Sequence, residues 1–214
     1  MSRAAQICIT LAVLLLVLAK LLHDLYLAAD SSLTPNIAND ALNWAWPYYN
    51  YGRASILSGV LPLWNPYAAV GAPFFADMSV AMFYPLNWIL LLVEAPLALV
   101  IVQFLTVIIG MGSMYCYTQY LELTWPARIL CIVLFAYALF TEAFHPVMGS
   151  SLCWFPALLW LTHRFFESPG VTSALCISVV LALCFLAGFP NFFLYTCMIL
   201  FVYGGVVLLG SWPQ

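Results

Sequence analysis

Between Ala95 and Leu209 the chain passes through one apolar run after another, and the only charged side chains along it are Glu122, Arg128, Glu142, Arg164 and Glu167. Runs of roughly 20 apolar residues are what an α-helix needs to cross the hydrocarbon core of a bilayer. A water-soluble surface cannot be made from such a pattern. Soluble domains carry about 25% charged residues, whereas this chain carries 6%, against 66% hydrophobic. The pattern predicts an all-α polytopic membrane protein with about six transmembrane helices.

The runs divide the chain into a first helix at 1–24, a long loop at 25–94 and a bundle at 95–214. Ile7 to Leu22 is apolar except for Thr10 and Lys20. Lys20 inside the run and the lack of a clean small-residue cleavage site favour an uncleaved helix over a signal peptide. Ala95 to Tyr120 reads as the second span, Pro126 to Phe144 as the third and Gly149 to Phe166 as the fourth, with Pro156 tolerated inside it. Val171 to Phe189 and Asn191 to Leu209 make the fifth and sixth. The chain stops at Ser211-Trp-Pro-Gln214 straight after an apolar run, and it is expected to be the N-terminal portion of a longer protein.

The long loop is different. It reads Ser58-Gly-Val-Leu-Pro-Leu-Trp-Asn-Pro-Tyr67, then Gly71-Ala-Pro-Phe-Phe-Ala-Asp77, then Phe83-Tyr-Pro-Leu-Asn87. It is too apolar for a disordered linker and too broken by proline for one membrane helix. A folded, partly helical loop on the membrane surface is expected, with Leu86 to Val93 lying at the interface and Trp88 as its anchor.

Basic residues give the orientation. With the N-terminus inside, Arg3, Arg128 and Arg164 are cytoplasmic and the loop is extracytoplasmic, along with the turns at 142–149 and 188–191. The reading is therefore a multi-pass protein of the cytoplasmic (inner) membrane. A net charge of −3 and the lack of a basic run exclude nucleic acid as a partner. The seven cysteines all lie in apolar runs without a CxxC or Cys/His cluster, and read as small hydrophobes.

Several outer residues carry candidate chemistry, each beside a plainer reading. Asp40, followed by Trp44, Trp46, Tyr48, Tyr49 and Tyr51, is either a general base toward a hydroxyl or a helix N-cap. Asp77 is either a cap or a second carboxylate holding a divalent cation or a substrate hydroxyl. A divalent cation is the one cofactor this leaves open. Arg53 is the best-placed outer cation for a lipid-linked phosphate, since guanidinium binds phosphate bidentately; a solvated arginine is the alternative. Lys20 is a second phosphate ligand or a snorkelling side chain. Trp64-Asn65 and Tyr84-Pro85 are turn and interface chemistry, or a stacking surface for a sugar or prenyl chain. His145, beside Glu142, is an interfacial residue or an acid/base group.

The pattern Gly59-x-Leu-Pro-Leu-Trp-Asn-Pro-Tyr67, Gly71-x-Pro73, Ala76-Asp77 and Tyr84-Pro85 resembles the first outer loop of the YfhO family of bacterial membrane proteins. His145-Pro146, Trp154-x-Pro156, Gly188-Phe-Pro-Asn191 and Tyr195 match later landmarks of that family. It is similar to GT-C glycosyltransferases, which take sugars from polyprenyl-phosphate carriers outside the cytoplasmic membrane. The resemblance implies a GT-C-like fold, a polyprenyl-phosphate sugar donor, a cell-envelope glycan acceptor, and Asp40 as the catalytic acid residue soon after the first helix. Arg53, Trp64, Asn65, Asp77, Tyr84 and His145 would bind substrate. Two landmarks differ: Gly-His-Pro-Gln stands here as Gly188-Phe-Pro-Asn191, and a usual Gln after Ala76-Asp77 as Met78-Ser79. The alternatives are a non-catalytic lipid-carrier translocator or assembly subunit, and an inactive N-terminal fragment.

Overall fold

The computed structural model describes residues 12, 15, 16, 19, 44–68, 70–141 and 146–210. Their regular structure is helical apart from one short antiparallel ladder. Within the first apolar run, Ala12, Leu15, Leu16 and Ala19 are helical and exposed.

The loop folds into a unit with its own core. Helix α1 (Trp46–Leu57) starts with Pro47 in its first turn, where the missing N–H would have had no partner anyway. It ends on Gly59 at φ +78, with the N–H groups of Gly59 and Val60 donating to the carbonyls of Ile56 and Ser55. That closure needs a left-handed residue, which glycine supplies at no steric cost. Strands β1 (Trp64–Asn65) and β2 (Ala72–Pro73) then pair, Trp64 opposite Pro73 and Asn65 opposite Ala72. Two 3-10 turns follow, Met78–Val80 and Pro85–Leu91. Tyr49, Phe74, Val80 and Leu90 pack together with Ala95 and Ala98 of the next helix. Burying Phe74 completely contributes about 2–3 kcal/mol to this unit. As the sequence suggests, 85–91 is a short apolar turn with Trp88 exposed at 56%.

The remainder is a helical bundle of α2 (Ala95–Tyr120), α3 (Trp125–Thr141), α4 (Pro146–Leu152), α5 (Phe155–Glu167), α6 (Val171–Leu186) and α7 (Pro190–Gly210). Helix α2 is the central element, touching α3, α4, α5 and the 85–91 turn, while α6 and α7 pack on α4 and α5. Val107, Met111, Ile132, Ala136, Leu139 and Cys153 form the bundle core. Leu97–Tyr120 and Pro190–Gly210 are long and apolar enough to cross a membrane, while Trp125–Leu139 and Val171–Leu186 are apolar but shorter.

The fourth run is not one helix. It breaks at Cys153–Trp154, and Pro156 opens α5 rather than sitting inside a continuous span. Proline has no N–H for the carbonyl four residues back, so the helix must stop and restart. Three carbonyls around the break accept from side chains. Cys153 Sγ donates to Ser150 O at 3.2 Å, Cys184 Sγ to Ser151 O at 3.4 Å, and Ser113 Oγ to Cys153 O at 3.2 Å. Two of the cysteines are therefore hydrogen-bond donors as well as small apolar fillers.

The break brings the loop and the bundle together. Trp154 Nε1 donates to the Tyr84 hydroxyl at 3.1 Å. Ala81, Tyr84, Val147 and Ala187 form a buried cluster at the same place. Gly188, at φ +94, closes the α6–α7 turn directly against Met78 and Ala81 of the loop. So the loop, α4 and the 188–190 turn share one end of the bundle. At the opposite end lie Arg128, in the first turn of α3, and Arg164, in the last turn of α5.

Candidate functional site

Helix α1 places two sets of side chains on opposite faces, and a cavity adjoins each. At 100° per residue, Tyr49, Arg53 and Ile56 share one face while Pro47, Tyr48 and Tyr51 share the other.

The first cavity, about 210 Å³, is bounded by Tyr49, Arg53 and Ile56 of α1 and by Phe75, Met82, Phe83, Asn87, Trp88, Leu90 and Leu91. Its walls are apolar except at Arg53, Tyr49 and Asn87. The Arg53 Nε is buried and has no hydrogen-bond partner among the described residues, and no ion pair joins Arg53 to Asp77 or Glu94. Leaving a buried donor unpaired costs about 1–3 kcal/mol, more for a charged group. An anion seated beside it would recover that cost. Tyr49 is nearly fully buried, and burial pushes its hydroxyl pKa upward; a hydrogen bond from Asn87 opposes the rise and the Asp77 charge adds to it. Tyr49 therefore stays a neutral donor beside the guanidinium. Asn87 is held in turn by its Nδ2 donating to Ala81 O at 3.1 Å.

The second cavity, about 510 Å³, lies between α1 and the hairpin and is bounded by Pro47, Tyr48, Tyr51, Asn65, Tyr67, Ala68 and Ala72. Among the described residues, no charged side chain lines it.

The sequence candidates divide between these places. Arg53 lies in the first cavity and Asn65 in the second. Asn65 is 3% exposed, and its Oδ1 accepts from the Tyr67 N–H at 3.0 Å, the Asx turn expected of Asn before Pro66. Trp64 is 53% exposed, and its carbonyl accepts from the Tyr51 hydroxyl at 2.6 Å. Asp77 caps the Met78–Val80 turn, its Oδ1 accepting from the Ser79 N–H at 2.9 Å, which is the plainer of its two readings. Among the described residues no group of three His, Cys, Asp or Glu side chains forms a metal cluster. Tyr84 is fully buried and tethers the loop to Trp154; burial, with smaller contributions from Cys153, raises its hydroxyl pKa. Asp40, His145, Glu142 and Lys20 lie outside the described residues.

Sequence reading missed Asn87 and Met82 of the first cavity and the pairing of Tyr51 with Tyr67 in the second. The helical period of α1 was the available signal for the two faces. Nothing in the sequence showed that residues 82–91 would fold back onto Arg53. No protein-family model, curated protein or solved structure matches the chain.

Proposed function

We propose that the chain belongs to a membrane glycosyltransferase of the YfhO kind, GT-C-like, with about six spans, in the cytoplasmic membrane with its N-terminus inside. It takes a sugar from a polyprenyl-phosphate carrier and transfers it to a cell-envelope glycan on the extracytoplasmic side. One observation carries this reading: an unpaired, partly buried arginine in a cavity otherwise walled by aromatic and aliphatic side chains. That combination suits a phosphate attached to an apolar chain, the phosphate on Arg53 and Tyr49, the isoprenoid against Phe83, Trp88 and Leu91.

Membrane embedding is supported by the outer faces of the helices. Only 17% of the most apolar window of α7 is buried, and Leu194, Met198, Phe201, Val202, Val206 and Leu209 are all exposed. An apolar surface of that extent needs lipid or protein cover.

In the reaction, the acceptor hydroxyl oxygen bonds to the anomeric carbon from the face opposite the phosphate, and the bond from that carbon to the phosphate oxygen breaks. The phosphate leaves with the electron pair, its charge balanced by Arg53. Asp40, four residues before Trp44 in the chain, takes the hydroxyl proton. Asp77 and His145 would line the same extracytoplasmic end. Replacing Asp40 with Asn should abolish transfer in membranes, with insertion intact; full transfer by that variant would refute the assignment. Arg53→Lys should weaken donor use by roughly tenfold, because a point charge replaces a bidentate fork. Unchanged donor use would remove Arg53 from the site.

A translocator of lipid carriers is the second reading, and the broken α4–α5 segment favours it. Discontinuous helices mark transport sites, and Gln103, Thr106, Ser150 and Ser151 are buried beside this one. Under that reading Asp40→Asn would leave carrier movement unchanged and no envelope glycan would lose a sugar.

A further inference from the structure

The second cavity is unused by the donor chemistry, and its lining differs in kind from the first. It is lined by Tyr48, Tyr51 and Tyr67 together with Pro47, Asn65, Ala68 and Ala72. We infer that this cleft is a carbohydrate subsite that takes the neutral pyranose rings of the glycan acceptor. The inference rests on the glycosyltransferase reading and names where its second substrate sits.

The lining, size and position of the cleft carry it. Tyr67 is 84% exposed, and its ring stands edge-on to Tyr51 with centroids 5.9 Å apart. Tyr51 is itself pinned, its hydroxyl donating to Trp64 O and its ring against Phe74 at 5.2 Å. A water-facing aromatic set against a tethered ring offers a stacking surface. One face of a pyranose presents C–H bonds to such a ring, while its rim presents hydroxyls.

The polar groups fit the rim. With Oδ1 of Asn65 held by the Tyr67 N–H, its amide NH₂ is left to donate. The hydroxyls of Tyr48 and Tyr67 have no partner among the described residues. Among the described residues the lining holds no Lys, Arg, Asp or Glu, which argues against a phosphate or an acidic peptide. The size, about 510 Å³, falls among cavities that hold small organic ligands, roughly 300–1,000 Å³. Finally, the cleft runs along the first turns of α1, the part of that helix nearest Asp40 in sequence, whereas the Arg53 cavity extends toward its far end at Ile56.

The test uses the full chain in lipid nanodiscs with three neutral probes, maltotetraose, cellotetraose and chitotetraose, read by saturation-transfer NMR from the protein's aromatic protons. At least one probe should show transfer to ring C–H protons. Tyr67→Ala should weaken its binding about tenfold, while Tyr67→Phe stays within about twofold. Ala68→Trp, which fills the cleft, should abolish the signal and decides the matter if Tyr67→Ala fails to fold. Arg53→Gln should lose polyprenyl-phosphate binding yet keep the sugar signal, so the failure of either site is seen separately. No transfer to any probe, or transfer unchanged in both cleft variants, overturns the inference. Saturation transfer to a tyrosine- or proline-rich peptide, with no tetrasaccharide bound, does so too.

Discussion

Tyr84 shows how far a residue's chemistry depends on where the fold puts it. In the sequence it reads as an interface or stacking aromatic before Pro85, and the family resemblance makes it a substrate-binding residue. In the structure it is fully buried and accepts a hydrogen bond from Trp154 across 70 residues of chain. Burial raises the hydroxyl pKa of both Tyr84 and Tyr49 above the ordinary 10.0. The sign of the consequence follows from proton counting. Below pH 10 both are neutral whether the chain is folded or not, so their contribution is complete. Above it the unfolded chain loses these protons first, and folding stability falls by about 1.4 kcal/mol per pH unit for each tyrosine. Thermal unfolding in detergent should therefore weaken steeply above pH 10. Tyr84→Phe should remove its share of that slope while costing about 1–2 kcal/mol at neutral pH, because Trp154 Nε1 loses its acceptor. An identical alkaline slope in the variant would show that Tyr84 is not held neutral by the fold. Asp77, by contrast, was legible: an aspartate before a short turn reads as a cap, and its Oδ1 caps the 78–80 turn.

At the scale of elements, apolar length was easy to read and interruptions were not. Helix α2 begins and ends at Ala95 and Tyr120, the limits that Pro96 and the Glu122 turn set in the sequence. The fourth run was read through its proline, because in membranes neighbouring groups can satisfy a freed carbonyl. Here Cys184 and Ser113 donate to the Ser151 and Cys153 carbonyls, around a break rather than a kink. No local signal separates those outcomes, since the donors come from other helices. Of the three positive-φ glycines, Gly59 and Gly188 test the same distinction between local and tertiary causes. A Cβ at Gly59 meets nothing within 4 Å, so Gly59→Ala should cost only the conformational term, about 1–2 kcal/mol. A Cβ at Gly188 would lie 2.6 Å from Met78 O and 2.8 Å from Ala81 Cβ. Gly188→Ala should cost clearly more, above about 3 kcal/mol, and should free the loop from the bundle. Limited proteolysis within 58–72 would detect the release. Equal melting temperatures for the two variants would mean that the 188–190 turn does not hold the loop.

At the scale of the molecule, everything functional depends on which end faces out. The structure gathers Arg53, both cavities, α4 and the 188–190 turn at one end. It puts Arg128 and Arg164 at the other, with Arg128 Nη2 donating to Leu123 O and its guanidinium 5.4 Å from the Tyr115 ring centre. Positive charge is retained on the cytoplasmic side during insertion, and two arginines outweigh one. The loop should therefore be exported. Tyr67, at 84% exposure, and Glu122, in the α2–α3 turn and exposed, mark the two ends. In intact cells an impermeant maleimide should modify Tyr67→Cys at once and Glu122→Cys only after permeabilisation. The native cysteines lie in apolar segments and set a low background, which the parent chain measures. The reverse pattern would put Arg53 in the cytosol, away from any exported lipid-linked sugar, and the glycosyltransferase reading would fall with it. Labelling of both positions from outside would mean that α2 does not cross the bilayer, and would remove the span count on which the fold assignment stands.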